Sequence, residues 1–188
     1  MNSLKKYSLR QVCAVGGLSP STVTGWLKTG KFKFANNTKL AEIDSELQGQ
    51  GLENEISQGR SVLLSWHSAV ELLMTAKLMQ HGLSMDDAKL VAVKFAYITK
   101  NKELDGHFRY CGDKYQGSQV QTLLIMPVPF SIRFDFVPYD SQNQFDWNRT
   151  LQAAGINPSS WFGVHIIRLD LWVMGWKSGL GEFSAIPT

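Results

Sequence analysis

The chain has 188 residues, of which 44% are hydrophobic and 11% aromatic, a balance typical of a globular protein with a sizeable core. It has no apolar run near the roughly 20 residues that span a bilayer, and its start lacks the apolar segment of a signal peptide. We therefore expect a cytoplasmic protein without a membrane partner. Its 2 cysteines are too few for a disulfide framework or a cysteine-based zinc site.

Charge is unevenly distributed along the chain, although the net charge is only +3. Residues 1–40 contain seven basic residues and no acidic one, whereas residues 41–60 contain five acidic residues and one arginine. The remaining residues contain equal numbers of basic and acidic side chains. The basic end is therefore a separate electrostatic feature of the kind that attracts polyanions.

Residues 7–34 carry the pattern of two short helices followed by a strand. Ser8 and Gln11 have the spacing of a capping box, which predicts a helix that runs through Val15 and ends at two consecutive glycines. Ser19 suits the N-cap of a second helix that ends near residue 28, with Pro20 at its first position. Two helices joined by a short corner containing glycine form a helix-turn-helix unit.

The second helix is expected to bury Val23, Trp26 and Leu27 and to present small hydroxyl residues outward. Small residues let the helix approach the floor of a DNA major groove, and the start of a helix favours a phosphate. The lysines that follow would supply the non-specific part of the attraction. Alternatively, the two helices only cap a core, and their serines are exposed because protein surfaces are polar.

Residues 35–59 are rich in Asn, Gln, Glu and Gly and predict a long loop. A second helical pair is predicted from residue 65 to about residue 98. Val70, Leu73 and Leu78 have helical spacing there, and Ser84 with Asp87 forms an acidic variant of the capping box.

Residues 7–32, "YSLRQVCAVGGLSPSTVTGWLKTGKF", resemble the winged helix-turn-helix of MerR-type regulators and the related excisionase-like domains. The stretch "GRSVLLS" (residues 59–65) corresponds to a returning wing strand, and the stretch "SAVELLMTAKLMQHGLSMDDAKLVAVKF" (residues 68–95) is similar to the third and fourth helices of that family. The resemblance covers residues 7–98. The matching residues of the first stretch are Gly17, Leu18, Ser19, Ser21, Thr22, Val23, Trp26, Gly30 and Lys31.

This resemblance implies binding of double-stranded DNA, with Thr24, followed by Gly25, at the position where a long side chain often contacts phosphate or base. The loop at residues 35–59 is longer than the family's wing, and the long dimerisation helix that often follows the fourth helix is missing. The residues expected to contact DNA are Arg10, Ser19, Ser21, Thr22, Thr24, Gly25, Lys28, Lys31, Lys33 and Arg60.

The C-terminal region has the alternating pattern of strands in "PFSIRFDFVP" (residues 129–138) and in "FGVHIIRLDLWVMGW" (residues 162–176). If the two pair antiparallel, Arg133 lies opposite Asp170 and Asp135 lies opposite Arg168; otherwise they are independent strands with solvent-facing charges. Trp172 would share the face of Arg168 and Asp170.

The aromatic residues of this region suit a core, a subunit interface or a pocket for a small apolar ligand. They are Phe145, Trp147, Trp161, Phe162, Trp172 and Trp176. His107 and Cys111 are four residues apart, but glycines on both sides disfavour a helix and no third ligand is near. We expect no metal, no cofactor and no catalytic site.

The sequence therefore predicts an α+β protein. A winged helix-turn-helix domain occupies residues 1–98, a linker residues 99–121, and a strand-rich dimerisation or sensing region residues 122–188. The expected function is sequence-specific transcriptional regulation as a homodimer, with repression favoured. The alternatives are a recombination directionality factor or a phage architectural or packaging protein that binds DNA, and a C-terminal ligand-binding or partner-binding module tethered to DNA.

Overall fold

The computed structural model is a mixed helix and strand (α+β) protein in which helical residues outnumber strand residues among those described. The structure describes residues 6–35, 62–97, 120–128, 135–140, 148 and 163–181. The chain divides into two compact units. Described residues of the first unit are 6–35, 62–97 and 176–181, and those of the second are 120–128, 135–140, 148 and 163–175.

The first unit begins with strand β1 and continues with the two short helices that the sequence predicts. Its elements are β1 (Tyr7–Ser8), α1 (Leu9–Gly16), α2 (Pro20–Lys28), β2 (Leu63–Leu64), α3 (Trp66–Gln80) and α4 (Met85–Tyr97). Strands β1 and β2 pair antiparallel, and the Leu9 N–H extends the pairing by donating to the Val62 carbonyl at 3.0 Å.

Both ends of α1 are defined by local hydrogen bonds. The Ser8 hydroxyl accepts from the Gln11 N–H at 3.3 Å, and the Gln11 side chain accepts from the Ser8 N–H at 2.9 Å, which confirms the capping box. Gly17 is left-handed, with a φ of 63°, and the Leu18 N–H donates to the Cys13 carbonyl at 2.8 Å. This pairing is a Schellman motif, which ends the helix where the two glycines predict.

Helix α2 has the predicted bounds, with Ser19 as N-cap and Pro20 in its first turn. The Ser19 side chain makes no capping hydrogen bond to the helix; its hydroxyl lies 2.7 Å from the Ser21 hydroxyl instead. Val23 is completely buried, whereas Trp26 and Leu27 are half-buried. The predicted inward side of the helix is therefore correct.

The prediction of a strand directly after α2 is wrong for the residues described up to Ala35. They form a turn and bends, because the Phe32 N–H folds back to donate to the Trp26 carbonyl at 3.1 Å. Strand β2 lies within the predicted wing strand at residues 59–65, but its partner is β1, which precedes α1.

Helices α3 and α4 supply most of the buried residues of the first unit and confirm the predicted second helical pair. Ser84 donates to a carboxylate oxygen of Asp87 at 2.6 Å and accepts from the Asp87 N–H at 3.1 Å, as the acidic capping box predicts. Helix α3 is buried around most of its circumference. Its buried residues are Ser68, Ala69, Val70, Glu71, Leu72, Leu73, Met74, Thr75, Ala76 and Leu78.

The second unit contains an antiparallel sheet of the order β4-β3-β5. Its strands are β3 (Val120–Val128), β4 (Asp135–Asp140) and β5 (Gly163–Arg168). Leu124 and Ile125 are both completely buried. Since neighbouring side chains of a strand point to opposite faces, both faces of β3 are covered at this point.

Two expectations for the C-terminal region are wrong. The stretch at residues 162–176 is a strand only as far as Arg168 and then continues as helix α5 (Leu169–Gly179). Strand β3 also lies between β4 and β5, so the two predicted strands are not neighbours and Asp135 does not pair with Arg168. Asp170 and Trp172 are helical, so Trp172 does not share a strand face with Arg168.

Other predictions concern residues outside the described part of the chain. These are the loop at residues 36–59, the linker at 99–119, Arg133, the His107 and Cys111 pair, and the aromatic residues Phe145, Trp147, Trp161 and Phe162. Among the described residues, none of the helices combines the length and the apolar character that crossing a membrane requires.

Candidate nucleic-acid interface

Residues 6–35 hold an exposed set of positive charges with no negative charge among them. All five basic side chains of this segment are exposed, and the segment has no Asp or Glu. They are Lys6, Arg10, Lys28, Lys31 and Lys33. By comparison, the described residues 62–97 have no excess of either charge, since they contain three lysines and three acidic residues. Among the described residues of the first unit, the excess of positive charge therefore lies mainly in the N-terminal segment.

The exposed side of α2 carries small side chains. Ser21, Thr22 and Gly25 are exposed, and Thr24 is half-buried. Because residues three and four apart lie on one side of a helix, Gly25 follows Ser21 and Thr22 by one turn on the same side. Because these side chains are short, the exposed side of α2 has no long side chain projecting into solvent along its first two turns.

A compact turn at residues 28–33, here called the basic turn, follows α2 and carries three of the exposed lysines. Its Thr29 hydroxyl donates to the Gly25 carbonyl at 2.8 Å, and Gly30 is left-handed with a φ of 70°. These features reverse the chain within a few residues. Lys28, Lys31 and Lys33 are thereby brought close to the C-terminal end of α2.

Phe32 anchors the basic turn to the first unit. Its side chain is only 1% exposed, packs edge-on against Phe34 with ring centroids 5.0 Å apart, and lies 5.6 Å from the Lys89 ammonium of α4. Lys31 and Lys33 flank this buried ring and are both exposed. Burial of Phe32 therefore holds its two neighbours toward solvent.

A buried carboxylate fixes the chain just after the basic turn. Glu71 of α3 is 0% exposed, and its two carboxylate oxygens accept from the Ala35 N–H at 3.1 and 3.3 Å. A buried charge is costly unless it is hydrogen-bonded. Glu71 therefore ties residue 35 to the core helix and, with Phe32, defines where the basic turn lies.

Most of the residues predicted to contact DNA are thus exposed on α1, on α2 or in the basic turn. Arg10 is exposed on α1, and Ser19 is exposed at the start of α2. Thr24 is the least exposed of the predicted residues of α2, and Arg60 lies outside the described residues.

Sequence reasoning missed the two residues that position the basic turn. Phe32 stands between two lysines, and this alternation of charged and apolar residues from 31 to 33 is the sequence signal that could have identified it as an anchor. Glu71 is the one acid in the apolar stretch at residues 69–76. A single carboxylate within such a stretch indicates a buried partner.

Comparison with known proteins assigns no family, because the chain matches no family model and none of the curated proteins.

The arrangement of the described residues itself suits an anion. It combines exposed cations, the start of α2, where no side chain caps the helix, and an anchored turn. Within the described residues, no three side chains of the His, Cys, Asp and Glu types form a possible metal site.

Proposed function

We propose that this chain binds double-stranded DNA through α2 and the basic turn and acts as a sequence-specific transcriptional regulator, a repressor. The observation that carries the proposal is the exposure of all five basic side chains of residues 6–35 in a segment without acidic residues. Lysine and arginine contacts to phosphates supply most of the non-specific affinity for DNA. An acid-free basic surface suits this partner better than a protein surface of mixed charge.

The arrangement of α1 and α2 supports a helix-turn-helix unit in this role. A corner of three residues, 17–19, joins the two helices, within the usual length for this motif. In such units the second helix enters the major groove with its N-terminal residues toward the bases. The exposed Ser21 and Thr22 stand at this position, so α2 is the proposed recognition helix and residues 35–59 are the proposed wing loop.

The proposal includes a homodimer held by the C-terminal region. Helix-turn-helix proteins commonly bind as dimers to two half-sites about one helical turn, ~34 Å, apart. Residues 7–98 resemble a MerR-type domain without the long dimerisation helix, which leaves the second unit to hold the two copies together.

The salt dependence of DNA binding tests the electrostatic part of the proposal. Affinity is measured by electrophoretic mobility and fluorescence anisotropy on duplexes that cover the region upstream of the chain's own coding sequence. Each neutralised phosphate adds about −0.9 to the slope of log K against log salt. We expect a slope of roughly −3 or steeper, and a slope near zero would refute DNA binding by this segment.

Substitution of Thr22 tests the role of α2. Thr22→Glu places a carboxylate at the proposed recognition surface, where it would repel phosphates. We expect it to lower affinity for the preferred duplex by at least about a hundredfold, since one uncompensated charge at such a contact costs a few kcal/mol.

Gln80→Glu is the matched control, because it adds the same charge at an exposed position of α3 outside the acid-free segment. Circular dichroism confirms that both variants are folded. Equal losses for the two variants would show that net charge, and not the position of Thr22, determines binding.

A further inference from the structure

Gly25 is an exposed glycine in the middle of α2 for which the described structure offers no internal reason. Glycine in a helix interior is less favourable than alanine, because it loses more backbone freedom on folding. Gly25 does not have a positive φ, and a Cβ built on it would meet no atom within 4 Å. Among the described residues, neither backbone geometry nor packing therefore requires a glycine here.

Other glycines of the first unit have such reasons. Gly17 and Gly30 are left-handed, with φ values of 63° and 70°. A Cβ on Gly16 would clash with the Leu73 side chain, and one on Gly179 would lie 2.9 Å from a methyl group of Val15. Gly25 differs from these four residues, because a side chain there would extend into solvent without meeting any described part of the chain.

The surroundings of Gly25 indicate what could use that space. It follows the exposed Ser21 and Thr22 by one turn of α2, and the exposed Lys28 follows it by another turn. The Thr29 hydroxyl donates to its carbonyl at 2.8 Å, which holds the backbone in place. A surface that comes close to Gly25 would therefore also meet small hydroxyl groups on one side and a positive charge on the other.

We propose that Gly25 is the point of closest approach between α2 and the DNA, and that it is a glycine because a methyl group would hold the helix away from the duplex. This inference rests on the proposed function and makes it more specific. It assigns to Gly25 a positioning role that depends on the absence of a side chain, while the charge of residues 6–35 selects the partner.

The experiment compares Gly25→Ala with Gly175→Ala in the full chain. Gly175 is also exposed in the interior of a helix, α5, has no positive φ and has no atom within 4 Å of a built Cβ. It lies outside the acid-free segment that is proposed to contact DNA. Both substitutions should raise the thermal midpoint by about 2–4 °C, because alanine is the better helix former and meets no obstacle.

DNA binding should separate the two variants. The probe is the duplex of about 20 base pairs that the wild-type chain selects from a random-sequence library. We expect Gly25→Ala to lower affinity for it by about tenfold or more, since an added methyl at a tight contact displaces both surfaces. Gly175→Ala should bind as the wild type does; its oligomeric mass is measured alongside and must equal that of the wild type, because Gly175 lies one turn from the exposed Leu171 on α5.

The outcomes distinguish this inference from the proposed function. If the wild-type chain binds no duplex, the proposed function fails and the inference fails with it. If the wild-type chain binds and Gly25→Ala binds equally well, only the inference is overturned. A fall in the thermal midpoint of Gly25→Ala would also overturn it, because the space would then belong to a contact within the chain. Equal losses of affinity for the two variants would exclude a special role for Gly25.

Discussion

Glu71 links the core of the first unit to the segment proposed to bind DNA. Its carboxylate is completely buried and accepts from the Ala35 N–H through both oxygens. We expect Glu71→Ala to lower the free energy of unfolding by about 2–4 kcal/mol, because it leaves a cavity and removes the acceptor of a buried N–H. Chemical denaturation monitored by circular dichroism measures this loss.

Glu71→Gln is the matched control for this prediction. Glutamine has nearly the same volume and keeps one carbonyl oxygen that can accept from the Ala35 N–H. It should therefore lose clearly less stability than alanine does. If the two variants were equally destabilised, the charge of Glu71, and not its hydrogen bond to residue 35, would be the quantity that matters.

Cys13 is a buried cysteine whose thiol reactivity is set by its surroundings. The side chain of Cys13 is buried in α1, and this burial raises the pKa of its thiol. The thiolate is the reactive form of cysteine, so a buried neutral thiol is inert. Cys13 accordingly belongs to the core and not to the surface that residues 6–35 present.

Among the elements, the corner between α1 and α2 determines how α2 is presented. Gly17 is left-handed at 63°, and a Cβ there would touch nothing within 4 Å, so its constraint is purely conformational. We expect Gly17→Ala to cost about 1–2 kcal/mol of folding free energy. Gly17→Asn should lose less, because asparagine tolerates the left-handed region. Thermal and urea unfolding of both variants, compared with wild type, would contradict this assignment if alanine were tolerated as well as asparagine.

The helices of the first unit could be predicted from the sequence because their signals are local. The capping box of α1, the glycines after it and Pro20 each determine backbone geometry within one turn. The pairing of β1 with β2 could not be predicted in the same way. It joins two-residue strands more than fifty positions apart, and such strands are too short to show a period.

The C-terminal helix α5 was mistaken for a strand because its sequence satisfies both periods. The charged Arg168 and Asp170 alternate with Ile167, Leu169 and Leu171, which imitates a half-buried strand. The buried residues are in fact Leu169, Val173 and Trp176, and their spacing of four and three is that of a helix face.

The pairing of β4 with β5 was predicted from charge alone, and this signal was too weak. Strand β3, "VQTLLIMPV", lies between them, and its nearly continuous apolar run is the mark of a central strand with both faces covered. The run carries no alternation, so period two does not identify it as a strand.

For the candidate site, the sequence identified the cations and the small residues of α2 but not what positions them. Exposure of a lysine follows from its charge and can be predicted one residue at a time. The contact between Glu71 and residue 35 joins positions 36 residues apart in the chain, and only the folded structure brings them together.

At the scale of the whole molecule, the second unit exposes large apolar side chains. In the second unit, Ile166 on β5 is 42% exposed and Leu171 on α5 is 54% exposed. Within the described residues, β5 pairs only with β3, at the end of the strand order. Exposed apolar side chains next to a strand edge favour association with another chain.

The last prediction is that the intact chain is a dimer and that Leu171→Glu converts it to a monomer. Trp172 is a poor site for this test, because it is half-buried in α5 and its loss would disturb the fold. Leu171 is mostly exposed, so a charge there should leave the unit folded while making an apolar interface unfavourable. Loss of the second half-site should then weaken DNA binding by at least about tenfold.

Gln80→Glu again provides the matched control, since it places the same charge at an exposed position of α3, outside the C-terminal region that is proposed to hold the dimer. It should remain dimeric and bind DNA as the wild type does. Sedimentation equilibrium at micromolar concentration measures the mass of each chain, and anisotropy on the selected duplex measures affinity. A monomeric wild-type chain that still binds its duplex tightly would contradict the dimer, because one recognition helix would then provide all of the contacts that the affinity requires.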